Sequence, residues 1–143
     1  MTTVHDRPFA EVDAATLYRI LQLRSQVFVV EQTCVFLEAD GRDLEPGCHL
    51  LWIEDPGGAV TATARVMDEG GARRIGRIVT ALDARQQGLA GSLIDHFLAT
   101  SEGPWVLDAQ ARLAEYYGRW GFAVAGDAYD EDGISHVPMH RNR

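Results

Sequence analysis

Lysine is absent from this 143-residue chain, so all 13 of its strongly basic side chains are arginines. Aspartate and glutamate together number 21, which gives a formal net charge of −8 at pH 7. Binding to nucleic acid needs clustered positive charge that neutralises phosphates. The charge balance therefore argues against a nucleic-acid partner and against an anionic membrane surface, whereas it is compatible with a cationic partner.

Cysteine is also scarce, since Cys34 and Cys48 are the two in the chain and they do not form a Cys-x-x-Cys motif. We expect two free, reduced thiols of a cytosolic protein rather than a disulfide or a reactive thiol. The first residues contain no apolar signal core, and no hydrophobic run approaches membrane-spanning length. The sequence therefore predicts a cytoplasmic protein, with residues 1–143 forming one domain around one core.

The first half of the chain predicts a helix followed by an antiparallel meander, after a short strand within residues 4–11. A helix is expected from an N-cap at Asp13 to about Val30, because apolar residues recur at helical spacing. Residues 32–47 are acidic and lose this periodicity, which predicts a surface loop with room for one turn of helix. Strands at 48–54, 59–67 and 73–80 are separated by glycine-rich turns, as in a meander.

The second half predicts helices alternating with strands. An apolar stripe indicates a helix from Gly88 to Leu98, and a short apolar strand follows at 105–109. A helix is expected over 111–120, and two last strands at 122–125 and 136–139 flank an acidic loop at 127–133. The order is β-α-βββ-α-β-α-ββ, which implies an α+β fold with α/β-like layers.

The junction between the strand at 73–80 and the helix that begins near Gly88 is the most informative segment. The first backbone N–H groups of a helix have no intrahelical acceptor and carry the positive end of the helix dipole. Small residues at Gly88, Ala90 and Gly91 would let an anion approach that backbone. The segment therefore suits a phosphate or pyrophosphate, although small residues packed against a sheet would give the same pattern.

Two short motifs and several longer stretches resemble one family. Arg85-x-x-Gly88-x-Ala90 is similar to the Arg/Gln-x-x-Gly-x-Gly/Ala signature of the GNAT N-acetyltransferases, and Tyr116 to Phe122 resembles that family's aromatic-Tyr-x-x-x-Gly-Phe helix end. Nearly the whole chain resembles the ElaA-like subgroup, through residues 22–32, 75–78, 109–111 and 129–136. The resemblance implies the GNAT acyltransferase fold, in which a mixed, mostly antiparallel sheet is splayed at its centre and has helices on both faces.

The resemblance also implies an activity, the transfer of an acetyl group from acetyl-CoA to a primary amine by direct attack. The acceptor would be a small molecule or a peptide, no metal would be needed, and the protein would be a monomer or a homodimer. The resemblance implies that cofactor-binding residues lie in two segments, 78–80 and 85–91, and near the end of a helix. They are Ile78, Val79, Thr80, Arg85, Gln86, Gln87, Gly88, Leu89, Ala90, Gly91 and Tyr117.

Three catalytic roles follow from the same resemblance. The backbone N–H of Val79, freed by a bulge, would stabilise the oxyanion, and Tyr117 would protonate the leaving thiolate. Glu31, at the end of the first helix, is the first candidate for the base that deprotonates the amine. His49 and His136 are rivals for that role, because histidine titrates near neutral pH.

Other interpretations remain open at this point. A non-catalytic acyl-CoA-binding or interaction module would keep the 85–91 segment without needing Tyr117. A dinucleotide-binding domain fits poorly, because no Gly-x-Gly-x-x-Gly is present and the glycine loop follows a meander. Arg65 and Arg77 would either pair with the acidic loops or bind a carboxylate on the acceptor. His136 and His140 lie four residues apart without the further ligands that a metal requires.

Overall fold

A computed structural model describes residues 2–143. Within them eight strands form one sheet in the order β1-β2-β3-β4-β5-β8-β6, with β7 paired to β8. Neighbouring strands are antiparallel except β4 and β5. The strands are β1 His5–Pro8, β2 His49–Glu54, β3 Val60–Glu69, β4 Ala72–Thr80, β5 Trp105–Gln110, β6 Ala123–Val124, β7 Tyr129–Glu131 and β8 Ile134–Arg141.

Three α-helices connect the strands of the described range: α1 Ala14–Ser25, α2 Leu89–Thr100 and α3 Ala114–Gly118. Asp13 is the N-cap of α1, as the sequence predicts, and its carboxylate accepts a hydrogen bond of 2.8 Å from the Thr16 N–H. The helix continues as a π-helix at Gln26–Glu31, and short 3-10 turns occupy Phe9–Glu11, Arg42–Leu44, Leu82–Ala84 and Ala111–Leu113.

The helices cover both faces of the sheet, and β2 shows why. Leu51 and Ile53 point to one face and share a core with residues of α2, whereas Leu50 and Trp52 point to the other face and pack with Ile20 of α1. This alternation follows from the two-residue repeat of a strand, which sends successive side chains to opposite faces. The predicted layers, an α+β sheet between helices, are therefore confirmed.

The sheet is splayed between β4 and β5. These strands pair only where Arg73 lies opposite Trp105 and Arg74 opposite Val106. The register of β3 against β4 shifts between Thr63 and Arg65, and Arg77 within the shifted segment has a left-handed φ of 50°. One extra residue on β4 makes this a β-bulge, which bends the strand. From Ile75 onwards β4 therefore presents an edge that β5 does not cover.

Two local predictions are wrong. Residues 127–133, expected to be a loop, contain β7, because Tyr129 to Glu131 pair with the start of β8 in a hairpin closed by Asp132 and Gly133. The helix expected over 111–120 is a 3-10 turn followed by the five-residue α3. Polar strand residues and short irregular helices carry little periodicity, so both features are invisible to pattern analysis.

Candidate active site

The segment between β4 and α2 exposes the donors of a helix N-terminus. Gln86 and Gly88 both have left-handed φ angles, 66° and 73°, and Gly88 is the N-cap of α2 without any side-chain cap. A Cβ built on Gly88 would meet no atom within 4 Å. The first N–H groups of α2 therefore lack a side-chain cap, and Gly88 places no side chain beside them, as an anion site at a helix N-terminus requires.

Arg85 fixes this segment to two other parts of the fold. Its Nε donates to the Thr80 carbonyl at the end of β4, at 3.1 Å. Its two terminal nitrogens donate to both carboxylate oxygens of Glu31, each at 2.8 Å. Such a bidentate pair combines charge with fixed geometry. One guanidinium thus holds together the end of the π-helix, the end of β4 and residues 85–91, which we call the phosphate-type loop.

Glu31 is therefore not an unpaired carboxylate, because Arg85 binds both of its oxygens. The hydrogen bonds from Arg85 lower the pKa of Glu31 below its ordinary value. Its side chain is 38% exposed, and it does not belong to the lining of the cavity described next. Lowering the pKa of a carboxylate weakens it as a proton acceptor. That Glu31 acts as the base stays a prediction, and the alternative is that Glu31 anchors Arg85.

A cavity of about 360 Å³ opens where β4 and β5 separate. Ile78 and Val79 line it from β4, Leu107 and Gln110 from β5, and Tyr117 from α3. Val79 lies opposite Thr63 in β3, and its buried side chain packs with Leu23 and Val27. The cavity thus brings the predicted oxyanion donor and the predicted acid, which are 38 positions apart in sequence, to one space.

Tyr117 lines this cavity, and 9% of the residue is exposed. Its ring packs edge-to-face on Tyr116 with 5.3 Å between centroids. Burial raises the pKa of Tyr117 to about 12. The phenol therefore stays protonated throughout the physiological range, which is the state that a proton donor needs.

The acidic loop at 32–47 forms one wall of the cavity through ion pairs with arginines of the sheet. Arg65 pairs with Asp40 at 2.9 Å, and Arg77 lies 3.2 Å from a Glu38 oxygen. The Arg77 guanidinium also stacks over the rings of Phe28 and Phe36, at 5.2 and 5.1 Å from their centroids. The predicted ion pairing of Arg65 and Arg77 with acidic loops is thus present.

One arginine of α1 completes this wall. Arg24 is 1% exposed and donates to Asp43 at 2.7 Å and to Glu38 at 2.8 Å. Burial alone would lower the pKa of Arg24, but the hydrogen bonds and charges of Asp43 and Glu38 raise it overall. The cluster of Arg24, Glu38 and Asp43 therefore fixes the acidic loop against the first helix.

The two rival histidines lie in different places. His49 is paired to Asp6 at 2.7 Å, and the other oxygen of Asp6 is 2.9 Å from His96, so these three residues join β1, β2 and α2. His49 and His96 do not line the main cavity, whereas His136 does. Sequence reasoning missed the partners of these residues, because Asp6 and His96 lie 90 positions apart.

Other predictions concern metals, membranes and thiols. Residues 2–143 contain no group of three or more His, Cys, Asp or Glu side chains that could hold a metal ion. Over the same residues no helix combines the length and hydrophobicity needed to cross a bilayer. Cys34 and Cys48 are both buried and free, and burial raises the pKa of Cys48 to about 11, so that this thiol is protonated at neutral pH.

A splayed sheet with a bulged strand, a cap-free helix N-terminus and a buried tyrosine at the gap match the architecture of the GNAT fold. The sequence matches the acetyltransferase (GNAT) domain family over residues 25–142, and the chain belongs to that family. It is 35% identical to the ElaA protein of Escherichia coli over 146 residues, covering 95% of this chain and 94% of ElaA. It is also 47% identical to a UPF0039 protein of Mycobacterium tuberculosis over 136 residues, covering 92% and 87% of the two chains.

Solved structures give the same result. An acyl-CoA N-acyltransferase from Pseudomonas aeruginosa superposes with a TM-score of 0.93 at 38% identity, covering 99% of each chain. The crystal structure of Escherichia coli ElaA superposes with a TM-score of 0.91 at 31% identity, covering 99% of this chain and 100% of ElaA. The GNAT fold and the ElaA-like relationship predicted from the sequence are thereby confirmed.

Proposed function

We propose that the chain is an acetyl-CoA-dependent N-acetyltransferase that acetylates a primary amine of a small-molecule or peptide acceptor. The observation that carries the proposal is the common cavity of Val79 and Tyr117, which opens where β4 and β5 separate. In this proposal residues 1–143 act as one catalytic domain in the cytoplasm, as a monomer or homodimer. Nucleic acid, membrane and metal have no part in it.

The backbone of the 85–91 segment fits the pyrophosphate of acetyl-CoA. The N–H groups from Gln87 to Gly91 would donate to it, with Gln86 shaping the turn and Leu89 and Ala90 in the first turn of α2. Arg85 would order the loop and add positive charge. Ile78, Val79 and Thr80 would pair their backbone with the pantetheine arm, in the manner of an added β-strand, because β5 leaves that edge of β4 uncovered.

Acetyl-CoA supplies an activated acyl carbonyl and a thiolate leaving group. The backbone N–H of Val79 would donate to the oxygen of the tetrahedral intermediate, and one such donor is worth about 3 kcal/mol. Tyr117 would give its phenolic proton to the departing sulfur. Both residues line the cavity, so they can act on a thioester inserted at the splay.

The first test locates the cofactor. Gly88→Glu should weaken acetyl-CoA binding about 100-fold or more, because the new carboxylate repels the pyrophosphate and blocks its hydrogen bonds. Isothermal titration calorimetry measures the change. Gly58→Glu is the matched control, since Gly58 also has a left-handed φ, 87°, and open space around its missing Cβ, but lies in the turn between β2 and β3.

The outcomes separate the alternatives. Equal binding by the Gly88→Glu and Gly58→Glu variants would place the cofactor elsewhere. No binding by the wild type would overturn the proposal. Binding by the wild type without thiol release from any amine would favour the non-catalytic acyl-CoA-binding module.

Glu31→Gln separates the two roles of Glu31. If the carboxylate only orders Arg85, the KM for acetyl-CoA should rise roughly 3- to 10-fold, while kcat changes by less than about 2-fold. If Glu31 is the base, kcat should fall about 100-fold or more with little change in acetyl-CoA binding. Steady-state kinetics with acetyl-CoA as the varied substrate decides between them.

A further inference from the structure

The main cavity adjoins a smaller one of about 40 Å³, since several residues line both. Four residues line the smaller cavity but not the main one: Cys34, Phe36, Asp132 and Ile134. The boundary between the two cavities is built from residues that line both: Phe28, Gln32, Arg77, Gln110, Glu131 and His136. Within the described chain, His136 is the one imidazole among these shared residues, and it lines the same cavity as Val79 and Tyr117.

The position of His136 follows from the register of the sheet. It lies opposite Gln110 at the end of β5 and opposite Tyr129 of β7. The ring stacks on the Tyr129 ring with 5.8 Å between centroids and 24° between planes. Its side chain is 15% exposed. The imidazole is therefore held at the splay by the strands on either side of it.

One hydrogen bond sets the tautomer of this imidazole. Nδ1 lies 2.8 Å from the Ile134 carbonyl oxygen, which can only accept, so Nδ1 must carry a proton. In the neutral ring the lone pair is consequently on Nε2. Nε2 is 3.9 Å from a Glu131 oxygen, which is too far for a hydrogen bond. The basic nitrogen is therefore left available to a substrate.

The charges around the ring favour a cation. Glu131 and Asp132 bring negative charge from β7 and its turn, whereas Asp108 of β5 is paired with Arg74 at 2.6 Å. Arg77 faces the same boundary, but Glu38 and Asp40 pair with it. Arg112 donates to Gln110 at 2.8 Å. The remaining titratable groups on the two cavities are Arg42, Arg65, Tyr117 and Cys34.

We propose that His136 is the general base of the reaction, acting through Nε2 on an acceptor that arrives as a primary ammonium ion attracted by Glu131. This proposal rests on the acetyltransferase function proposed above. The structure favours His136 over Glu31, because the Glu31 carboxylate is committed to Arg85 and lies outside the cavity lining.

The proton balance of the step is complete. Nε2 takes one proton from the ammonium ion, and the nitrogen lone pair forms a C–N bond to the thioester carbonyl carbon. Collapse of the tetrahedral intermediate breaks the C–S bond, and Tyr117 gives its proton to the sulfur. The nitrogen loses a second proton after the C–N bond forms, and this proton reaches the Tyr117 oxygen through solvent. His136 then releases to solvent the proton that it took first. The products are the N-acetyl amine, free CoA and one proton.

Two amines of similar shape and different basicity test the proposal. Ethylamine is largely protonated at neutral pH, whereas 2,2,2-trifluoroethylamine is largely neutral and needs no base before attack. His136→Gln should lower kcat/KM for ethylamine about 100-fold and for trifluoroethylamine by less than about 5-fold.

Matched variants separate chemistry from folding. His140→Gln changes the same residue type on the same strand, outside both cavities, and should leave kcat/KM within about 2-fold. Glu131→Gln changes an exposed residue and should raise the KM for ethylamine several-fold without affecting trifluoroethylamine. The Glu131→Gln variant therefore still tests the proposal if His136→Gln fails to fold.

The failures are distinguishable. Equal losses with both amines in His136→Gln, together with no amine-dependent effect in Glu131→Gln, would overturn the role of His136 while the wild type still turns over. If the wild type binds acetyl-CoA in the calorimeter but releases CoA thiol neither with these two amines nor with any other primary amine, the proposed function itself is overturned, and the role of His136 with it.

Discussion

Replacing Tyr117 by phenylalanine should lower kcat about 100-fold or more and change the affinity for acetyl-CoA by less than about 2-fold. The substitution removes one oxygen from a buried ring whose packing on Tyr116 it preserves. Because the pKa of Tyr117 is raised to about 12, the wild-type hydroxyl stays protonated far into the alkaline range. A loss of wild-type activity near the ordinary tyrosine pKa of 10.0 would therefore come from another group.

Tyr116→Phe is the control for this prediction. Tyr116 adjoins Tyr117 in α3, but it packs on Trp120 and does not line the cavity. The control should keep kcat within about 2-fold of the wild type. Release of CoA thiol gives the rates, and calorimetry gives the affinities. An undiminished kcat in Tyr117→Phe would remove the tyrosine from the role of acid.

Arg24→Met should destabilise the fold by about 3 kcal/mol. The methionine fills much of the space but leaves the carboxylates of Glu38 and Asp43 buried, with side-chain exposures of 4% and 8%. Removing one member of a buried ion pair is costly because the remaining charge is neither solvated nor paired. Arg77 and Arg65 lie 3.2 and 3.4 Å from these carboxylates, which puts the expected loss at the lower end of the usual range.

Urea unfolding followed by tryptophan fluorescence measures this loss. Arg19→Met on the exposed side of α1 is the control and should change the free energy of unfolding by less than about 0.5 kcal/mol. A loss below about 1 kcal/mol in Arg24→Met would mean that Arg65 and Arg77 can neutralise the two carboxylates without it. Because the cluster holds the acidic loop, kcat/KM should fall in the same variant.

Local signals were sufficient for much of the fold. The N-cap at Asp13, the glycine turns and the helix after Gly88 each depend on residues close in sequence, and the structure has all of them. The splay between β4 and β5 was expected from the resemblance alone. It is a missing pairing between strands about 30 residues apart, so periodicity within either strand could not reveal it.

Long-range pairings account for what the sequence could not provide. The Glu31–Arg85 pair spans 54 positions, and no residue near either one in the sequence indicates that they pair. The stacking of Arg77 between Phe28 and Phe36 depends on the bulge that turns its backbone into the left-handed region. His136 could be named as a candidate, but its tautomer required the position of the Ile134 carbonyl. Charge partners and proton positions are properties of the assembled sheet.

The two residue pairs that join β4 to β5 have a mechanical consequence. On one side of this seam lie β1–β4, and on the other β5–β8, so few backbone hydrogen bonds join the two parts of the sheet. A strand-like ligand that pairs with the open edge of β4 would add hydrogen bonds beside the seam. Amide hydrogens between Ile75 and Thr80 that do not pair with β3 should therefore exchange fast in the free protein and slowly once that ligand is seated.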